Sequence, residues 1–293
     1  MRKYGGKRGK RILLFAVLAC AFGLLTLSHG GGEKENVRGD DAGFSVLPAA
    51  ESGEREEMRT ERDERDEPRS ETASEEKTDA EKLAYIRKNA FLYPEALVEL
   101  AEKNREAINF VYDYLANKDK KETAELTDSE LCGKLPHFLQ WDERWGYERY
   151  AGGLLACTGC GPTCLSMAAV YLTGNADYTP SYIAEFAERE GYSVEGQGSA
   201  WTLMSEGCES FGIKAKELSL DEGRIRRALE RGEPVVCVLG PGDFTENGHF
   251  IVLTGFTEGG FTVHDPNSIE NSQKTWPYEK LKNQIKNIWS FHL

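Results

Sequence analysis

The sequence predicts an α+β domain, with N-terminal helices packed against an antiparallel β-sheet. Three observations predict it. Apolar residues recur at helical spacing from Leu83 onward. Gly and Pro then punctuate a set of helical segments. From Pro234 the pattern changes to short, valine-rich runs separated by turn residues. Helices first and hairpin-linked strands afterwards indicate a sheet with its helices segregated from it, not a parallel βαβ array.

Only Leu83–Leu293 has the composition of a folded body. The chain has 293 residues and a net charge of −13, distributed in three regimes. Residues 1–30 read as a signal peptide or signal anchor. Arg2, Lys3, Lys7, Arg8, Lys10 and Arg11 precede an apolar run, Ile12–Leu27. The run is short for a membrane span, although the uncharged Ser28–Gly32 extends it. Cleavage after Ser28 and retention as an anchor both remain open, and a lipoprotein reading would use Cys20. The positive charges stay inside, which puts the rest of the chain outside the cytoplasm, secreted or membrane-anchored. Residues 31–82 read as a charged, disordered linker: Glu33–Lys82 carries 18 acidic and nine basic residues with few large apolar ones. The acidic body has no basic patch, which argues against a nucleic-acid partner. No phosphate-binding loop motif is present, so no nucleotide-driven motor is fused to it.

Residues 83–125 form the helical segment. Leu83, Ile86, Ala90, Leu97, Leu100, Ala101, Ile108, Val111 and Leu115 line one face, and Pro94 divides the stretch into two helices. They are expected to pack on the domain that follows, residues 126–293. There, Pro162 suits the first turn of a helix that Gly174 closes. Further helices are expected over Pro180–Glu190, Ala200–Phe211 and Glu222–Arg231. Strands follow over Pro234–Leu239, His249–Phe256 and Phe261–His264, the last two joined at Glu258-Gly-Gly260, and Trp289–Phe291 adds a final strand.

Four residues stand out by position. Cys160 precedes a helix, where the positive end of the dipole favours a thiolate. His249 begins one strand and Asp265 ends its hairpin neighbour, which brings base and orienter together. Gln140 offers a side-chain amide to an oxyanion, with the Cys160 backbone N–H as the second donor.

In order, Gln140 … Gly159-Cys160-Gly-Pro-Thr163 … Gly248-His249-Phe-Ile-Val252 … His264-Asp265-Pro266 resembles the C39-like cysteine peptidases, a papain-like group. The resemblance covers about Leu135 to Leu293. It implies a papain-like fold, with Cys160 as nucleophile, His249 as base, Asp265 as orienter and Gln140 as oxyanion donor. It also implies hydrolysis of peptide or other amide bonds with no cofactor and no metal, on a peptide or protein substrate. The chain lacks a fused transporter, so it resembles the free-standing, exported branch. A cell-wall amidase is the nearest competitor within the hydrolases, and a non-catalytic cell-surface binding module the competitor outside them.

Cys157, Cys160 and Cys164 form C-x₂-C-x₃-C, which raises two rivals. A metal or iron–sulfur site would need a fourth ligand from Cys132, Cys208, Cys237 or a histidine, none of them in a second paired motif. A thioredoxin-like exchange site would need a central strand before its helix, and the parallel pattern is missing. Cys157 either pairs with Cys164 or all three stay reduced, and the apolar run after Cys164 favours reduced thiols. Cys208 and Cys237 read as small buried hydrophobes, His137, His264 and His292 as surface or packing residues, and Trp141 and Trp145 as packing at a cleft rim.

Overall fold

The structure, a computed structural model, describes residues 77–120 and 124–293. The apolar run, Cys20 and the charged stretch up to Glu76 lie outside the described residues. Glu71–Leu293 forms one unit; Met1–Ser70, the other, is not described.

The helical segment has three helices where the sequence predicts two. Helix α1 spans Asp79–Lys88 and starts before Leu83, because Thr78 and Glu81 make a reciprocal capping box. Pro94 caps α2 (Glu95–Lys103), as its fixed φ allows. The second break falls at Asn104: its side chain caps a single 3₁₀ turn and so separates α2 from α3 (Ile108–Asn117). Local side-chain-to-backbone bonding of this kind competes with continuation of the helix. Ile86, Leu97, Ala101, Ile108, Phe110 and Val111 are buried together with Trp141, Leu154 and Ala156 of the domain that follows.

That domain opens with the two-residue strands β1 (Arg149–Tyr150) and β2 (Gly153–Leu154), paired antiparallel, and the single turn α4 (Leu155–Thr158). Helix α5 (Cys160–Thr173) is buried along most of its length and ends at Gly174, with φ 67°. Helix α6 (Pro180–Glu190) is capped by Thr179 and closed by left-handed Gly191. A second short hairpin, β3 (Ser193–Val194) with β4 (Gly198–Ser199), follows. The helix expected over Ala200–Phe211 is two pieces, α7 (Thr202–Ser205) and a 3₁₀ turn over Gly207–Phe211, with Glu206 at the break. Strand β5 (Lys214–Glu217) comes next; its mostly charged, exposed residues carry no apolar period, and the sequence reading misses it. Helix α8 (Glu222–Glu230) is capped by Asp221.

The remaining elements are β6 (Val235–Leu239), β7 (His249–Thr257), β8 (Gly260–His264), α9 (Ile269–Ser272), β9 (Thr275–Trp276), α10 (Tyr278–Leu281) and β10 (Ile285–His292). The sheet order is β5-β10-β6-β7-β8-β9, every neighbour antiparallel. The last strand of the chain is therefore internal. Alternation divides the side chains cleanly. Val236, Val238, Phe250, Val252, Trp289 and Phe291 face the core built on α5 and α6. Val235, Cys237, Leu239, Ile251, Leu253 and Ile288 face the core that Ile225 and Ala228 of α8 close. A sheet covered on both faces explains why β6 is a continuous apolar run.

Leu97 ties the helical layer to the rest. Leu97→Ala is expected to lower unfolding free energy by about 2–5 kcal/mol in a urea titration of the whole chain. A midpoint equal to that of the parent protein would show that this layer contributes no packing energy.

Candidate active site

Cys160 is the first residue of α5, and Gly159 is its N-cap. The chain passes from α4 into α5 through this one glycine. A Cβ there would lie 2.5 Å from the Leu155 carbonyl oxygen and 2.6 Å from the Leu155 side chain, so no larger residue fits. The consequence is chemical. In a continuous helix the Cys160 N–H would bond the Ala156 carbonyl four residues upstream. That carbonyl instead accepts from Gln140 Nε2 at 2.6 Å. The Cys160 N–H is thus a first-turn donor that the helix does not use. Gln140 is itself buried and held by its backbone N–H on the Pro266 carbonyl, 2.7 Å. One of its two amide hydrogens is committed to Ala156, and the other remains for a ligand. Its Oε1 is buried without a hydrogen-bond partner.

His249 and Asp265 meet through the hairpin register. Val252 pairs with His264. Asp265 follows β8 directly, at the same end of the hairpin at which His249 opens β7. His249 Nε2 lies 2.7 Å from Asp265 Oδ1, with both side chains almost wholly buried. Because Asp265 takes Nε2, Nδ1 is the ring nitrogen left for a second partner, and the Cys160 side chain lies close enough to the imidazole to raise its pKa. Burial works against a charged imidazole here. The Asp265 charge and hydrogen bond, with a further contribution from Cys160, outweigh it and raise the His249 pKa to about 10. Burial likewise opposes the Asp265 carboxylate. His249, the Asn271 amide and the Asn267 N–H more than compensate, and its pKa falls below the usual carboxylate value. Asp265 Oδ1 also accepts from Asn267 N–H at 2.8 Å, and Oδ2 from Asn271 Nδ2 at 2.9 Å.

All six described cysteines are free thiols. Burial pushes Cys157 up to about 12 and Cys164 well above the ordinary thiol value. Both are therefore uncharged thiols at neutral pH. Cys208 and Cys237 are fully buried, as expected of small hydrophobes, and Cys132 is exposed. Trp141 and Trp145 are both buried. Trp145 packs edge-on against Phe138, and Trp141 donates its indole N–H to the Asn267 carbonyl at 3.2 Å.

The sequence reading gives His137 and His264 no role beyond surface or packing, and the structure uses them to bind two loops together. His137 Nε2–H donates to the Asp265 carbonyl at 2.8 Å, and His264 Nδ1–H to the Pro136 carbonyl at 2.9 Å. The rings stack 4.7 Å apart. These bonds join the segment bearing Gln140 to the strand end bearing Asp265. Burial, and then the neighbouring His137, lower the His264 pKa to about 4. The sign of the linkage follows. The unfolded chain takes up a proton on this residue near pH 6.5, and the folded chain only near 4. Stability is therefore full above 6.5 and is lost as pH falls between those values. His264→Asn, which keeps a donor for Pro136, is expected to flatten that loss by on the order of 2–3 kcal/mol, read from urea midpoints at pH 7 and pH 4. Parallel pH slopes for the two proteins would refute a neutral buried His264.

The sequence model of the Peptidase_C39 like family matches residues 134–291. Among solved structures, a crystal structure of a candidate C39-like peptidase from Bacillus anthracis is similar at 17% identity and a TM-score of 0.38, over 59% of this chain and 98% of that one. No curated protein matches the chain. With more than half of its length matched, and Gln140, Cys160, His249 and Asp265 all inside the matched stretch, the chain belongs to the C39-like peptidase family.

Proposed function

We propose that the protein is a cysteine peptidase that hydrolyses peptide bonds outside the cytoplasm through Cys160, His249 and Asp265. The observation that carries this reading is the buried His249–Asp265 pair at 2.7 Å, with the Cys160 side chain close enough to the same imidazole to raise its pKa. The Cys160 sulfur, as thiolate, attacks the scissile carbonyl carbon. Negative charge develops on the carbonyl oxygen and is met by the Cys160 N–H and the uncommitted hydrogen of Gln140 Nε2. His249 passes its proton to the leaving amine as the C–N bond breaks, and the acyl group stays on sulfur. Water then attacks the thioester, giving its proton to His249; the C–S bond breaks, the acid is released, and Cys160 returns as a thiolate beside protonated His249. Asp265 stays ionised throughout, fixing the imidazole orientation and stabilising its protonated form. The extracytoplasmic site of action rests on the basic and apolar first thirty residues, which also supply membrane attachment if they are retained.

A mixed peptide library digested with the purified chain is the direct test. Cys160→Ala is expected to abolish cleavage, and Gln140→Ala to slow it about 10²–10³-fold with little change in stability. Iodoacetamide labelling followed by mass mapping reports the nucleophile without a substrate. Cys160 is expected to react first at neutral pH and to lose that advantage in His249→Ala. Equal, slow labelling of Cys157, Cys160 and Cys164, together with no cleavage, would remove the peptidase reading and leave a binding module of the same fold.

A further inference from the structure

Asp265 is held from a direction that the family match does not include. The Asn267 N–H and the Asn271 amide that fix its two oxygens belong to one turn, Asn267–Asn271, which opens α9. That turn is built against the helical segment. Asn104 Nδ2 donates to the Asn267 carbonyl at 2.6 Å. Glu106 spans the first turn of α9: Oε2 accepts from the Ile269 N–H and Oε1 from the Glu270 N–H, each at 2.9 Å. Ser268 Oγ accepts from the Asn271 N–H at 3.1 Å and completes the capping. A four-residue helix has little stability of its own, so the donor from Asn104 and the acceptors from Glu106 help the turn keep its shape. Asn104 and Glu106 are themselves coupled, since Asn104 Oδ1 accepts from the Glu106 N–H at 3.0 Å. Lys103, next in sequence, reaches Glu246 at 2.9 Å, on the loop that leads into His249.

We propose that Asn104 and Glu106 are positioning residues that act through the Asn267–Asn271 turn on Asp265, which makes the helical segment a permanent working part of the site. This rests on the Cys160–His249–Asp265 reading. It deepens that reading by assigning the segment an activating role: the mature enzyme retains residues 79–117, and their loss switches the site off.

The test uses the full chain and two readouts. The His249 ring is titrated by NMR on histidine-labelled protein, and the Cys160 alkylation rate is measured with iodoacetamide at neutral pH. Asp265→Asn sets the scale of a lost partner. Glu106→Ala and Asn104→Ala are expected to lower the His249 midpoint by about one pH unit, in the direction of Asp265→Asn. A shift of one unit is a tenfold fall in the equilibrium constant between the thiolate–imidazolium pair and the neutral pair, so alkylation slows by up to about tenfold. Glu106→Gln, which keeps one acceptor oxygen, is expected to fall between Ala and the parent. Arg87→Ala breaks the surface pair with Glu102 on the same segment and reports general loosening; it is expected to leave both readouts in place. If Glu106→Ala does not fold, Glu106→Gln and Asn104→Ala decide. A parent-like His249 midpoint in those variants, with His249-dependent alkylation intact, overturns the positioning role while the peptidase reading stands. An effect of Arg87→Ala as large as that of Glu106→Ala also overturns it. Alkylation indifferent to His249 in the parent protein overturns the catalytic reading, and the inference falls with it.

Discussion

A carboxylate that is 1% exposed must be compensated by the fold that buries it, and Asp265 imposes that requirement on this structure. Its two oxygens take bonds from His249, Asn267 and Asn271. An unpaired buried charge would cost several kcal/mol, so each donor has to be held in place. Three stretches distant in sequence converge to do this: Asn104–Glu106, Pro136–Trp141 and His264–Ser272. Their mutual bonds are largely from side chains to backbone carbonyls or amides. Such bonds fix loop shape without a regular ladder, and they explain how irregular segments can present a charged pair with defined geometry.

The sheet supplies what the loops cannot. β6, β7 and β8 are largely buried on both faces, and the β7–β8 hairpin brings His249 and the residue that follows β8, Asp265, to the same end. Register is protected there because the alternation feeds two cores at once. Val252 belongs to the α5 face and Ile251 to the α8 face, so any slip exchanges the residues of both.

Much of this was legible in the sequence because it depends on local chemistry. Gly174, Gly191 and Gly232 take positive φ at or just beyond helix ends, and Pro162 and Pro180 lie in first turns. The strands β6, β7 and β8 were legible from their apolar runs, and from β7 and β8 the adjacency of His249 and Asp265. What escaped is what tertiary bonding decides. Asn104 breaks a helix in an otherwise continuous apolar period, and only its bond to Asn267 gives that break a purpose. β5 has a charged sequence and forms because β10 offers it an edge. Glu106 carries no sequence signal: an acidic residue in a surface helical stretch reads as solvent-facing until α9 is placed against it. Gln140 was legible as a candidate amide donor, but not its bond to Ala156, because that needs the bend between α4 and α5.

That bend shows why Cys160 is flanked by glycine on both sides. Gly159 is excluded from bearing a side chain by the Leu155 carbonyl at 2.5 Å from where its Cβ would stand. Gly161 is excluded by Ser199 of β4, whose hydroxyl would collide with a Cβ there and is bonded to the Tyr150 hydroxyl at 2.6 Å. The first exclusion lets the chain turn sharply enough to free the Cys160 N–H from the Ala156 carbonyl. The second lets β4 close over the start of α5, so that the helix end is packed while Cys160 itself stays partly open. A side chain at either position would collide with these neighbours and force the local packing to shift. The Gly-Cys-Gly triplet is thus a backbone requirement. It keeps one N–H outside the helical bonding beside one partly accessible sulfur, and Gln140 bonds the Ala156 carbonyl on the other side of the bend.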